Sequence, residues 1–192
     1  MNWVVKKAAV LAILLAASAG PASAAVRVEA GVLAGTRTIN STAIKDVYGT
    51  GMIIYPYAAI HPWKGLFVGL GYEGGAARSG KIGLYEEPTT LKVTGFEVFA
   101  GYEIAVGMVT PYIKAGYASY SYKQVIDSPF VKDNQVNSSK GTVALGGGLK
   151  VFMSGTFFLA GEFRFVPLKV KPLGTEVDLG GLRYTAGIGV RF

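Results

Sequence analysis

The sequence predicts an all-β protein, an eight-stranded antiparallel up-and-down transmembrane β-barrel. The last eleven residues carry the first signal. Leu182, Tyr184, Ala186, Ile188, Val190 and Phe192 share one face, and Arg183, Thr185, Gly187, Gly189 and Arg191 share the other. That is the period-two pattern of a strand with one apolar side. Composition carries the second. Hydrophobic residues make up 51% of the chain and charged residues 16%. Beyond the N-terminus, however, no run approaches the roughly 18 unbroken apolar residues of a spanning helix. The third is rhythm: eight strand-like segments are joined by connections that alternate long and short, as in a barrel with both termini on the short-turn side.

Residues Met1–Ala24 read as a cleaved secretory signal peptide. Lys6 and Lys7 form a charged start and Ala8–Ala17 an apolar run; Gly20-Pro21 breaks the helix before the small-residue site Ala22-Ser23-Ala24. The expected organisation is therefore signal peptide 1–24 and barrel 25–192. Removing Lys6 and Lys7 lowers the net charge from +7 to +5. No basic run or basic–aromatic patch accompanies it, so nucleic acid is not expected as a partner. Anionic lipopolysaccharide is the expected recipient of the excess. The chain has no cysteine, which excludes disulfides, thiolate metal sites and a lipid-bearing Cys.

Segment one, about Val26–Gly35, alternates Val26, Val28, Ala30, Val32 and Ala34 with Arg27 and Glu29, and Thr36–Asp46 reads as a polar loop. Segment two, about Tyr48–Ile60, has no charge to fix its phase, and Pro56 predicts a bulge or local irregularity. A short turn, His61–Gly65, follows. Segment three, Leu66–Gly74, sets Leu66, Val68, Leu70 and Tyr72 against Gly69, Gly71 and Glu73, and Gly75–Thr90 reads as a long loop. Segment four, Leu91–Ile104, sets Phe96, Val98, Ala100 and Tyr102 against Gly95, Glu97, Gly101 and Glu103. After Ala105–Val109, the phase of segment five, Thr110–Lys123, is open. Turning Lys114 inward also turns Tyr112, Tyr120 and Tyr122 inward, while Lys114 could instead snorkel from a strand end. Gln124–Ser139 is a third long loop. Segment six, Lys140–Met153, opposes Val143, Leu145, Leu149 and Val151 to Lys150 and glycines; Ser154-Gly155 is a tight turn. Segment seven, Thr156–Leu168, opposes Phe157, Leu159, Phe163 and Phe165 to Glu162 and Arg164, and Lys169–Gly180 is the last loop.

Alternation alone does not say which face is inside, and a soluble lipocalin-like barrel shows it too. Side-chain size decides. An eight-stranded barrel has an interior that side chains just fill. Here the apolar faces are bulky and the opposite faces are mostly Gly with single charges. The bulky faces are therefore set against lipid. Arg27, Glu29, Glu73, Glu97, Glu103, Lys114, Lys150, Glu162, Arg164, Arg183 and Arg191 then point inward, six basic against five acidic. Turning them inward avoids about 2–4 kcal/mol for each Lys or Arg at the lipid midplane, and enclosure requires them to pair. Trp63, Phe67, Tyr102, Tyr112, Phe157 and Phe192 are expected in an aromatic girdle at the short-turn end. Tyr48, Tyr72, Tyr120, Phe165 and Tyr184 are expected in one at the long-loop end.

With its signal peptide, eight strands, repeats such as Gly95-Phe-Glu-Val-Phe-Ala-Gly-Tyr102 and Thr110-Pro-Tyr-Ile-Lys-Ala-Gly-Tyr117, and terminal Phe192, the mature chain resembles small outer-membrane β-barrels of the OmpA-barrel, OmpX and opacity type. The resemblance implies a bacterial outer-membrane location and contact with the barrel-assembly machinery, for which Phe192 would be the assembly signal. The expected role is structural or surface-interacting, with membrane lipid, lipopolysaccharide and a surface or host ligand as partners of a monomer. A narrow pore or lateral pathway for small or hydrophobic solutes is the alternative. A third and weaker reading follows from barrels of this size that modify lipid A with a Ser–His–acid set. Against it, the sole histidine, His61, is placed in a short periplasmic turn as a structural or solvated residue. Neither catalysis nor a cofactor or metal is expected. Glu97 with Glu103, or Glu162 with Arg164, read as interior charges rather than acid–base pairs, and Gly146-Gly-Gly148 lacks the Gly-Lys-Ser/Thr of a phosphate loop.

Overall fold

A computed structural model describes residues 26–82, 86–127, 135–171 and 176–192. The proposed signal peptide lies outside these residues. Eleven strands and one helix follow in order: β1 (Arg27–Arg37), α1 (Thr42–Tyr48), β2 (Gly51–His61), β3 (Leu66–Glu73), β4 (Arg78–Ile82), β5 (Glu87–Glu103), β6 (Val109–Ile126), β7 (Gln135–Phe152), β8 (Phe157–Val166), β9 (Lys169–Val170), β10 (Val177–Asp178) and β11 (Gly181–Arg191). Eight of them close the ring β1–β2–β3–β5–β6–β7–β8–β11–β1, every pair antiparallel. Closure leaves no unpaired edge within the membrane, the condition a spanning sheet must meet.

The alternation sets the faces. Along β8, Phe157, Leu159, Gly161, Phe163 and Phe165 are exposed, while Phe158, Ala160, Glu162, Arg164 and Val166 are buried. The exposed set meets lipid. Inside, glycines make room for rings: a Cβ on Gly71 would lie 2.1 Å from the Tyr55 hydroxyl, and one on Gly95 would lie 2.4 Å from the Tyr120 ring. The phase of β6 is settled with Lys114, Tyr112, Tyr120 and Tyr122 all buried inside.

Two expectations need correction. The long loops after segments three and five are partly strand. β5, β6 and β7 run 17, 18 and 18 residues, and β4 continues the line of β3 by pairing with the outer part of β5. Alternation persists beyond the membrane there, with Thr, Ser, Lys and Gln supplying the outer face. The expected loop after segment one contains α1, and Tyr48 closes that helix instead of starting a strand. Seven residues are too few for a stable isolated helix. Ile44, Val47 and Tyr48 hold it by packing on an apolar cluster, and Gly49, at φ 65°, ends it. Pro56 gives a local irregularity but no bulge. The β1–β2 register runs through it unbroken, and on the other side the β2–β3 ladder stops at Tyr57 and returns at Ile54–Gly74 in the same register. The missing amide donor costs one stretch of ladder without inserting a residue.

At the short-turn end, Gly65 takes φ 82° beside the Tyr102 ring, where a Cβ would lie 2.7 Å from ring carbons. At the opposite end, Ile39, Tyr48, Leu91, Tyr122, Leu168 and Leu179 belong to a buried apolar cluster. It is formed by α1, the β9–β10 hairpin region and the inner faces of the extended strands, and it caps the lumen.

Candidate functional site

The charged interior is arranged in three layers. The lowest, near the short turns, joins five strands. Glu29 (β1) accepts from Lys150 Nζ (β7) at 2.7 Å and from Arg191 Nε (β11) at 2.9 Å. Glu103 (β5) accepts from Arg191 Nη2 at 2.7 Å and from Lys150 Nζ at 3.2 Å. His61 (β2) lies between the same two carboxylates, with Nε2 3.3 Å from Glu29 and Nδ1 3.4 Å from Glu103. Tyr57 donates to Glu29 at 3.0 Å.

The middle layer is one ion pair inside an aromatic ring. Lys114 Nζ lies 2.8 Å from Glu162, which also accepts from the Tyr112 hydroxyl at 2.8 Å. The ammonium is 4.7 Å from the centre of the Tyr55 ring and 4.6 Å from that of Phe99, within cation–π range. The upper layer gathers Arg37, Arg164 and Arg183 on Glu73, with the Tyr120 hydroxyl donating to the same carboxylate at 2.9 Å. Glu97 takes Arg164 Nη1 and the Tyr55 hydroxyl.

Of the interior charges expected from sequence, Glu29, Glu73, Glu97, Glu103, Lys114, Lys150, Glu162, Arg164, Arg183 and Arg191 are buried in these layers. Arg27 is not. It is in phase with Glu29 but sits at the first residue of β1, where the mouth of the barrel leaves it exposed. Arg37, assigned to a loop, takes the sixth basic place, because β1 keeps its alternation through Leu33 and Gly35 to Arg37. His61 is also misplaced by the sequence reading. It ends β2 in phase with Tyr55, Tyr57 and Ala59, is 2% exposed, and faces the lumen instead of solvent.

The girdles need the same revision. Trp63, Tyr102, Phe157 and Phe192 are exposed at the short-turn end, and Tyr72, Phe165 and Tyr184 at the other. Phe67, Tyr112, Tyr48 and Tyr120 are buried inside. Each of the first two shares a face with an interior charge, Glu73 or Lys114, so the phase carried the signal.

Glu29, His61 and Glu103 are one group of potential metal ligands, with ligand atoms within 4.8 Å of one another. Lys150 and Arg191 already occupy both carboxylates. A divalent cation added there would leave a buried, uncompensated double charge, which a low-dielectric interior does not tolerate. The group fits an ion-pair cluster better than a metal centre.

On the outside, a groove of about 860 Å³ opens between the outer extension of β7 and the β9–β10 region. Ser138, Lys140, Thr142, Phe165, Lys169 and Asp178 contribute to its lining. It forms because β7 pairs with β8 only from Leu145 downward, while β7 itself reaches Gln135.

An apolar wall, aromatic residues at both rims and a charge-paired lumen define an integral β-barrel of the bacterial outer membrane. The chain belongs to the outer membrane protein beta-barrel domain family, which matches residues 8–192. Solved structures share the fold. The outer membrane protein OprG of Pseudomonas aeruginosa is 12% identical with a TM-score of 0.61, covering 87% of this chain and 95% of its own. Neisserial surface protein A is 16% identical with a TM-score of 0.56, covering 88% and 98%. The attachment invasion locus protein Ail of Yersinia pestis, solved with the heparin analogue sucrose octasulfate, is 15% identical with a TM-score of 0.52, covering 87% and 97%. No curated sequence matches the chain.

Proposed function

We propose that this protein is a monomeric, non-conducting barrel that reinforces the outer membrane and binds ligands at its outer surface. The closed lumen carries that reading. Three layers of paired charge cross it and an apolar cap lies above. The central cavity lined by Glu29, Tyr57, Phe99, Lys114 and Glu162 has a volume of about 10 Å³, roughly that of one water position. The layered charges are the structural core, tying strands across the barrel where a filled polar interior replaces an apolar one.

Surface binding is supported by the outer groove with its lysine rim, and by the fold shared with Ail, which binds a heparin analogue. Lipopolysaccharide and a host surface polyanion fit the same chemistry. Residues 1–24 would be removed on export, and Phe192, 74% exposed and hydrogen-bonded through its amide to Val28, would serve the assembly machinery as the terminal signal. His61, between Glu29 and Glu103 in the lowest layer, is read as a structural residue.

Planar-bilayer recording on the refolded barrel tests the closed lumen. Electrical silence is expected, and discrete single-channel steps would refute it.

A further inference from the structure

Three arginines form a row across adjacent strands at the outer end of the lumen. Arg37 on β1 is in register with Arg183 on β11, and Arg183 with Arg164 on β8. All three are buried, at 5%, 0% and 1% exposure. Like charges directly opposite one another destabilise a sheet, so this row needs compensation. Glu73 gives part of it, accepting from Arg164 Nη2 at 2.7 Å, Arg37 Nη1 at 3.2 Å and Arg183 Nε at 3.4 Å. Glu97 gives the rest through Arg164 Nη1 and the Tyr55 hydroxyl.

The count does not close. Three guanidinium groups face two carboxylates, whereas the middle layer pairs one cation with one anion and the lowest layer pairs Lys150 and Arg191 with Glu29 and Glu103. The excess positive charge is therefore local to the row. The apolar cap above screens this layer from bulk water.

The donors tell the same story. In the row, Arg37 Nε, Arg164 Nε and Arg183 Nη2 are buried without a hydrogen-bond partner, as is the acceptor Glu97 Oε1. Three unpartnered N–H donors on three neighbouring cations, in a layer with one positive charge too many, offer the donors that an anion needs. A buried charged donor without a partner is costly.

We propose that the arginine row binds one small monovalent inorganic anion, a halide such as chloride, on the guanidinium N–H groups that Glu73 and Glu97 leave free. One such ion equals the excess of Arg37, Arg164 and Arg183 over Glu73 and Glu97. The site is independent of the outer groove and of any surface ligand.

The test uses the refolded full barrel in detergent, in gluconate buffer at fixed ionic strength, titrated with sodium chloride or bromide. Both halides should raise the thermal midpoint saturably, and the folded-to-unfolded ratio should rise about 100-fold at 100 times the dissociation constant. Arg37→Gln, which balances the layer at two against two, should abolish the halide response. Should that variant not fold, bromide anomalous diffraction on the unaltered protein decides, with one peak expected within hydrogen-bond reach of Arg37 and Arg183. A halide-independent midpoint, water alone at those donors, or a peak with no effect in solution (an adventitious ion only) would each overturn the proposal.

Discussion

Replacing Glu29 with Gln removes one of the two carboxylates in the lowest layer while keeping its shape. Glu29 is 1% exposed and serves Lys150, Arg191, His61 and Tyr57. Without its charge, Lys150 and Arg191 share Glu103 alone, and the layer holds an unbalanced cation. Breaking a buried pair in this way costs about 3–5 kcal/mol. At a urea slope of about 2 kcal/mol per molar, the unfolding midpoint should fall by roughly 2 M. Trp63 fluorescence in lipid vesicles follows the transition, since Trp63 is the one tryptophan of residues 25–192. The double variant Glu29→Gln with Lys150→Gln restores the charge balance and should regain most of the loss. A cost below about 1 kcal/mol for the single variant, the figure for solvated ion pairs, would show that water reaches this layer and would refute the packed lumen.

Other substitutions probe the remaining parts. Ile188→Arg places a cation on the lipid wall of β11, where Ile188 is 64% exposed, and should cost about 2–4 kcal/mol in vesicle unfolding, against under about 1 for Ser121→Arg above the apolar band. Deleting Phe192 should sharply lower the amount of heat-modifiable barrel in the outer membrane, while the same chain still refolds in detergent. Gly65→Ala forces a side chain into φ 82° against the Tyr102 ring and should cost about 1–3 kcal/mol, read as a lower thermal midpoint. Tyr48→Phe removes the hydroxyl that bridges Thr89 and Gln124 at 2.8 Å each. It should cost about 1 kcal/mol and raise amide exchange in α1 without altering exchange in the membrane strands.

The barrel was legible because a β-strand in lipid must alternate along its whole length. Where a charge marked the phase, as Glu73 does for β3 or Arg164 for β8, the faces followed directly. Difficulty began where that marker was weak. β2 has no charge before His61, so its inward set of Tyr55, Tyr57 and His61 was hidden, although the same two-residue step from Tyr55 reaches His61. Arg37 was lost for a different reason: polar residues past Gly35 look like loop, yet a strand that leaves the membrane keeps its pleat while its outer face turns hydrophilic. The helix α1 was not legible at all. Seven residues with a short apolar face acquire helical structure only from the cap they pack against, and that cap brings together Ile39, Leu91, Tyr122 and Leu168 from four distant stretches. The partition of charge into a balanced lower layer and an unbalanced upper one depends on register across the barrel, which no single segment encodes.

A sealed lumen behind a lipid-facing apolar wall can be tested at two neighbouring positions on β11. The chain has no cysteine, so single cysteines report cleanly. Thr185 is 7% exposed and points inward, and its neighbour Ala186 is exposed on the outer wall. In vesicles, Thr185→Cys should resist a charged, water-soluble maleimide added to both sides, and Ala186→Cys should react only with a lipid-soluble one. Rapid labelling of Thr185→Cys by the charged reagent would mean that water and small solutes pass through the barrel, contradicting the closed interior.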